Sequence, residues 1–179
     1  MKKSTSIILM LFVALFSFNI SAQSLESKLA KTWISEVKNL DSQNFSVECL
    51  VLTPNGVGGW AISAHSETTL DDYSNIEADF TISAPIQWSC SGTTLYFSFN
   101  CDECNFEVTN LSVNTTNQAL KDTMEQMKEY FKQMFIDEIK KNFFSSSSNI
   151  YTYTNVSIDG NTMTAYDEDG QRITFTNKD

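Results

Sequence analysis

Residues 155–176 of the chain run Asn155-Val-Ser-Ile-Asp-Gly-Asn-Thr-Met-Thr-Ala-Tyr-Asp-Glu-Asp-Gly-Gln-Arg-Ile-Thr-Phe-Thr176. Two groups of turn-forming residues, 159–161 and 167–170, each precede a run that alternates in polarity. An Asp-Gly pair between alternating runs is a strong short-range signal for a β-hairpin. The segment therefore predicts two successive hairpins, with strands at residues 162–166 and 171–176.

A near copy of the first hairpin occurs upstream. Residues 88–95 align without gaps on residues 156–163, and both follow the pattern apolar-Ser-x-(Ser/Asp)-Gly-x-Thr-(Leu/Met). Repetition of a strand–Gly turn–strand unit indicates an antiparallel meander. We therefore expect Gly92 and Gly160 to occupy equivalent turns with positive φ, which glycine adopts without steric cost.

Most of the remaining chain is also predicted to form short strands. Residues 75–83 alternate with their apolar side chains on one face, and Pro85 then marks a bend or an edge position. Residues 44–52 alternate as well, and the apolar set predicted to face inward is Phe45, Val47, Cys49 and Val51, with Ser46 and Glu48 on the other face. Nine or ten short, evenly spaced strands predict a mainly β fold, an antiparallel meander that closes into a barrel or a sandwich.

One segment, residues 116–144, has helical periodicity instead. Its apolar residues recur at intervals of three and four: Leu120, Met124, Met127, Phe131, Met134, Phe135 and Ile139. This apolar stripe is too large to leave in water. We expect the helix to pack against the sheet, across a barrel mouth or along one wall, with Phe131 mostly buried.

The N-terminus has the features of a secretory signal peptide. Lys2 and Lys3 precede ten apolar residues, 7–16, and small residues at Ser21 and Ala22 suit cleavage after Ala22. The prediction is an exported protein, periplasmic or secreted, with one domain over residues 23–179 and no membrane span after cleavage. The leader contains two of the 12 basic residues and none of the 22 acidic ones, so the rest has a formal charge of −12. Such a charge argues against nucleic acid as a partner.

The chain has four cysteines, an even number that favours two disulfides in an exported protein. Three connectivities exist. We expect Cys101–Cys104 across a hairpin tip, and Cys49–Cys90 because both continue rows predicted to face inward. Redox chemistry at Cys101-Asp-Glu-Cys104 is disfavoured because the intervening acidic residues raise the thiol pKa. With His65 as the only histidine, we expect no metal site and no cofactor.

Three short motifs resemble the bacterial secreted lipocalin-like domains, a calycin-type group. They are Trp33 in Leu29-Ala-Lys-Thr-Trp33, the unit Trp88-x-x-x-Gly92-x-x-Leu95, and the closing residues 160–176. The resemblance implies a small antiparallel barrel with an internal cavity, and a late basic residue, Arg172, packed over Trp33; the alternative for Arg172 is an exposed position on a strand. Two features depart from the family pattern: Lys31 replaces a usual Gly, and the long helix is additional.

Aromatic residues on apolar faces are the candidates for lining such a cavity, although they would also serve to fill a barrel interior. They are Trp33, Phe45, Trp60, Phe80, Trp88, Phe97, Phe131 and Phe175. The first functional hypothesis is binding of a small apolar molecule in the barrel or under the helix. The alternative is a non-enzymatic envelope protein that contacts another envelope protein through the Met- and Phe-rich helix face or a sheet edge. Enzymatic activity is not expected, because no group of residues forms a catalytic set.

Overall fold

The computed structural model describes residues 25–72, 74–99, 101–145 and 150–179, so the predicted signal peptide lies outside the described residues. Residues 25–29 are helical. Ten strands and two further helices follow within the described ranges: β1 (Thr32–Ser35), β2 (Lys38–Asn39), β3 (Phe45–Leu52), β4 (Val57–Asp71), β5 (Ser74–Ser91), β6 (Thr94–Phe99), β7 (Asn105–Thr115), α1 (Gln118–Gln126), α2 (Lys128–Ser145), β8 (Ile150–Asp159), β9 (Thr162–Tyr166) and β10 (Arg172–Asn177).

The strands form a closed antiparallel barrel. Eight of them follow one another around the wall in the order β1-β10-β9-β8-β6-β5-β4-β3, and β1 pairs with both β10 and β3 to close it. Trp33 of β1 lies opposite Asn177 on one side and Leu50 on the other. The predicted mainly β meander that closes into a barrel is confirmed.

The two predicted glycine turns are also confirmed. Ser91 pairs with Thr94 across Gly92, and Asp159 pairs with Thr162 across Gly160, so both loops contain two residues. The φ angles are 60° at Gly92 and 57° at Gly160. Local turn chemistry was therefore sufficient to fix these hairpins.

Strand β5 is longer than predicted because Pro85 does not interrupt it. Its first part, through Ser83, pairs with β7, and its last part, from Ile86, pairs with β6. Pro85 lies between these two ladders, where a missing N–H breaks no hydrogen bond on that side. Because β6 and β7 both pair with β5 and are joined by a single 3-10 turn, Cys101–Glu103, the predicted hairpin tip at this position is wrong.

One end of the barrel is closed by apolar packing. Leu29, Trp33 and Phe175 are fully buried there, and the Trp33 indole N–H donates to the Leu29 carbonyl over 2.8 Å. Trp88 lies at the same end, and its indole N–H donates to the carbonyls of Thr53 and Val57. The predicted contact of Arg172 with Trp33 does not form, because Arg172 begins β10 at the other end and is exposed.

The inward face of β3 is the opposite of the predicted one. Phe45 and Val51 are 42% and 40% exposed, whereas Ser46, Leu50 and Leu52 are buried. The cause is the register with β4, in which Leu50 lies opposite Trp60 and Leu52 opposite Gly58. A shift of one residue exchanges the two faces of a strand, and this register turns the even-numbered residues 46–52 of β3 inward.

The predicted Cys49–Cys90 disulfide is wrong for the same reason. Cys49 lies on the outer face of β3, while Cys90 continues the inward row of β5, and both are free thiols. Cys49 is level with Ser83 on β5, seven residues from Cys90, a separation of about 23 Å along an extended strand. The described side chains form no disulfide. The side chain of Cys101 lies outside the described residues, but Cys104 forms no disulfide, so the predicted Cys101–Cys104 bridge is wrong as well.

The predicted helix at 116–144 forms as α1 and α2, separated only by Met127. Asn117 caps α1 by accepting a hydrogen bond from the Leu120 N–H over 3.2 Å. Both helices pack on β7 and the adjoining face of β5. The buried residues of this cluster are Ala78, Val108, Leu111 and Met124, with Leu120, Phe131, Phe135 and Ile136 partly buried against them.

The predicted stripe is only partly correct. Met127 and Met134 are 41% and 48% exposed, whereas Met124, Phe131 and Phe135 pack in the cluster on β5 and β7. Met127 itself leaves helical geometry, with φ −106° and ψ 13°. Phe131 is half-buried rather than mostly buried. Within the described residues, no helix is both long enough and apolar enough to cross a membrane.

Replacement of Gly160 by Ala tests the turn assignment. A Cβ at Gly160 would meet no atom within 4 Å, so any cost comes from its φ of +57°. We expect Gly160→Ala to lower the free energy of unfolding by about 1 kcal/mol, measured as a lower urea midpoint. Gly59→Ala is the matched control, because Gly59 also has open space but no positive φ, and it should not be destabilising. An equal effect of the two substitutions would contradict the assignment.

Phe131→Ala tests the packing of α2. Removal of a half-buried ring from the cluster should destabilise the protein by about 2 kcal/mol in urea unfolding. Met134→Ala on the exposed side of the same helix should change stability by less than about 0.5 kcal/mol. Similar losses of stability in both variants would mean that α2 does not pack through the face that carries Phe131.

Candidate ligand cavity

A cavity of about 700 Å³ occupies the end of the barrel opposite the glycine turns. Its upper boundary is formed by residues 35–40 around β2 and by the β9–β10 turn, and its walls by β3, β4, β5, β8 and β10. The apolar side chains of the walls are Trp60, Ile62, Ala64, Phe80, Ile82 and Ile173, and Val37 and Leu40 add apolar surface at the upper boundary. Every described residue that lines this cavity belongs to a strand or a loop.

The structure places the eight aromatic candidates in three environments. Trp60 and Phe80 line the cavity. The residues that fill the barrel core are Trp33, Trp88, Phe97 and Phe175, none more than 5% exposed. Phe45 and Phe131 lie outside the barrel interior.

Phe45 is a wrong assignment, which follows from the inverted face of β3. Its ring stacks on His65 at a centroid distance of 5.0 Å, on the outer surface. Phe131 packs against the cluster formed by β5, β7 and the helices, so it also lies outside the described cavity lining. Phe80 connects the two regions, because it lines the cavity and packs against both apolar clusters.

Glu48 lies in the cavity wall and is the main polar group within the barrel. The Trp60 indole N–H donates to Glu48 Oε1 over 2.7 Å. The Tyr153 hydroxyl lies 2.6 Å from Oε1 and 2.7 Å from Oε2, so its proton is shared between the two oxygens. The backbone N–H of Glu48 donates to Ser35 Oγ over 2.8 Å, which ties β3 to β1 at this level.

Burial raises the pKa of Glu48, because the charged carboxylate loses hydration inside the barrel. The hydrogen bonds from Tyr153 and Trp60 and the charge of Lys38 oppose this rise in pKa, since each favours the carboxylate. Burial, followed by the charge of Glu48, raises the pKa of the Tyr153 phenol well above its ordinary value, so Tyr153 remains a hydrogen-bond donor. The site therefore holds a carboxyl group that binds its proton more tightly than a carboxyl group in water does.

Aromatic rings surround this carboxyl group. Trp60 stacks on Phe99 at 5.5 Å, and Phe99 stacks on Tyr151 at 5.3 Å. Tyr153 packs against Phe97 at 5.4 Å. Of these rings, Trp60, Tyr151 and Tyr153 line the cavity, so a molecule inside would meet aromatic faces as well as the carboxyl group.

Charged residues are concentrated at the rim. Lys38 Nζ lies 3.3 Å from Asp167 Oδ2 and links β2 to the β9–β10 turn. Asp167 also orders that turn, because its Oδ1 accepts a hydrogen bond from the Gln171 N–H over 2.7 Å. This hydrogen bond is the turn chemistry predicted for residues 167–170.

Three residues that line the cavity were not predicted from the sequence: Glu48, Tyr151 and Tyr153. The β3–β4 pairing contained a signal for Glu48: if Trp60 faces inward, a register that sets Leu50 opposite Trp60 also brings Glu48 inward. Tyr153 follows from its pairing with Leu95 on the next strand. Alternation within β3 alone gave the wrong face because Val and Cys tolerate either side of a barrel wall.

The described residues contain no group of three or more His, Cys, Asp or Glu side chains arranged to hold a metal ion. No protein-family model matches this chain, and no curated protein matches it in sequence.

Replacement of Glu48 by Gln tests the assignment of the buried carboxyl group. A folded-state pKa raised above the unfolded value means that the folded protein binds the proton more tightly. Stability from Glu48 is then fully present below the ordinary pKa of 4.5 and is lost as pH rises through the raised value, at about 1.4 kcal/mol per pH unit.

We therefore expect Glu48→Gln to become more stable relative to wild type as pH rises above about 5, measured by urea unfolding at several pH values. Glu107→Gln, an identical change on the exposed face of β7, should show no such trend. A constant difference between Glu48→Gln and wild type across this range would exclude a raised pKa.

Proposed function

We propose that this protein binds a small, largely apolar molecule in the open end of its barrel. The observation that carries the proposal is the cavity of about 700 Å³ lined by Trp60, Phe80 and Ile82. Its volume lies within the range of about 300–1,000 Å³ found for small-molecule sites. The lining combines apolar walls with a few polar groups, which is the composition expected of a ligand site.

The same architecture supports placing the chain with the bacterial lipocalin-like domains. A closed barrel of eight antiparallel strands, an inner Trp on the first strand and an open end are consistent with that fold. We therefore include membership of that family, and export after removal of residues 1–22, in the proposal.

The alternative, an envelope interaction protein that uses the helix face, has less support. Met124, Phe131 and Phe135 pack on the chain's own β5 and β7, so most of the apolar stripe is already covered. Among the described side chains of the helices, the large hydrophobic ones left exposed are Met127, Tyr130 and Met134. These residues form a small surface compared with a stable protein interface.

A cavity-filling substitution tests the proposal. Ala64 lines the cavity, whereas Ala61 on the same strand lies in a groove on the outer surface. We expect the wild-type protein to bind Nile red, a neutral apolar dye, with a saturable increase in fluorescence. Ala64→Trp should abolish this binding because the indole would occupy the dye's space.

Ala61→Trp is the matched control and should retain the wild-type affinity, since the outer groove has about 340 Å³ of space. Thermal unfolding of each variant verifies that it is folded. Equal binding by the two variants, or no saturable binding by wild type, would reject the barrel interior as the binding site.

A further inference from the structure

We propose that the ligand carries an organic ammonium group that pairs with Glu48, so that the protein recognises cationic amphiphiles rather than fatty acids or neutral lipids. This inference rests on the proposed function. It names the chemistry of the head group, while the walls of the cavity select an apolar body.

The hydrogen bonds of Glu48 are the first argument. A carboxylate offers about four lone-pair sites. In the structure, one indole N–H from Trp60 and one hydroxyl from Tyr153 are directed at this group, and both reach Oε1. The group lies in the cavity wall with acceptor capacity remaining, and a primary ammonium supplies three N–H donors.

The aromatic rings are the second argument. Trp60, Tyr151 and Tyr153 line the cavity beside Glu48. The face of an aromatic ring attracts a cation through its quadrupole, and desolvation strengthens the attraction. A carboxylate surrounded by aromatic rings is favourable for an organic cation and unfavourable for a carboxylate ligand.

The charges of the lining are the third argument. Besides Glu48, the acidic residues of the lining are Glu36, Asp167, Glu168 and Asp169, against the basic residues Lys38 and Arg172. Lys38 is already paired with Asp167 at 3.3 Å. The negative excess attracts cations to the mouth, and the net charge of −10 on the whole chain acts in the same direction.

Binding of a cation should release a proton. The groups around Glu48 are Lys38 from β2, Trp60 from β4, Tyr151 and Tyr153 from β8, and Asp167 from the β9–β10 turn. The other charged residues of the rim are Glu36, Glu168, Asp169 and Arg172. Burial raises the pKa of Glu48, and an adjacent ammonium would lower it again. Affinity for a cation should then rise with pH, while affinity for a neutral molecule should not.

Three probes with the same apolar chain separate the possibilities: octylammonium, 1-octanol and octanoate, each titrated into wild-type protein by calorimetry. At about pH 8 we expect octylammonium to bind at least about tenfold more tightly than 1-octanol, which is the effect of one charge-assisted hydrogen bond. Octanoate should bind least. Calorimetry in two buffers of different ionisation enthalpy, repeated at pH values stepped down from about 8, should detect proton release that appears as pH falls and for octylammonium alone, a result that requires no variant.

Glu48→Gln preserves the shape of the side chain and removes its charge. We expect it to lose the preference for octylammonium while it still binds 1-octanol with wild-type affinity. Glu107→Gln removes an identical charge from the outer wall and should leave all three affinities unchanged.

Each other outcome rejects a specific claim. Equal binding of the three probes, or tighter binding of octanoate, would overturn the head-group inference and leave the proposed function standing. The head-group inference also fails if Glu48→Gln keeps the preference for octylammonium. Binding of none of the probes, together with no binding of Nile red, would reject the proposed function and the inference with it.

Discussion

A four-residue loop, residues 53–56, joins β3 to β4, and its length decides which side chains of β3 enter the barrel. The Thr53 N–H donates to the Val57 carbonyl over 3.0 Å, which sets Leu52 opposite Gly58. A Cβ at Gly58 would lie 2.0 Å from the Val51 carbonyl oxygen, so only glycine fits there. Strand β5 holds the loop in place, because the backbone N–H of Trp88 donates to the Gly56 carbonyl over 2.8 Å.

This register has a cost as well as a structural result. It buries a carboxyl group, and removal of an ionised carboxylate from water is unfavourable unless donors replace the lost hydration. Tyr153 and Trp60 replace part of it, and the raised pKa shows that burial outweighs their effect. A barrel selected for stability alone would be better served by an apolar residue at position 48. The proposed recognition of a ligand is therefore the clearest explanation for a carboxyl group at position 48.

The parts of the fold that were correctly predicted depend on local chemistry. The hairpins at Gly92 and Gly160 follow from two-residue turns, and β9 forms at the predicted residues Thr162–Tyr166. The helix was located correctly because its spacing of three and four spans many residues. Its break at Met127 was not predictable, since nothing in the adjacent sequence, such as Pro or Gly, signals it.

The errors share one cause, which is that they depend on how distant segments pair. The inward face of β3 depends on the length of a loop, and Cys49–Cys90 failed with that face. The residues at 101–104 were assigned to a hairpin because β6 and β7 are consecutive, whereas both pair with β5. Of the candidate cavity residues, Trp60 and Phe80 were found by alternation, but Glu48 and Tyr153 required the register of two ladders.

The two ends of the barrel differ in the same way. The closed end contains the tight glycine turns, which follow from short-range signals, together with the fully buried Trp33 and Phe175. The open end is formed by segments far apart in sequence, as the link between Lys38 and Asp167 illustrates. Substitutions at the open end change residues that line a cavity rather than fill a core, so they remove fewer packing contacts. Under the proposed function, this separation lets the groups around Glu48 select the ligand while the opposite end maintains the fold.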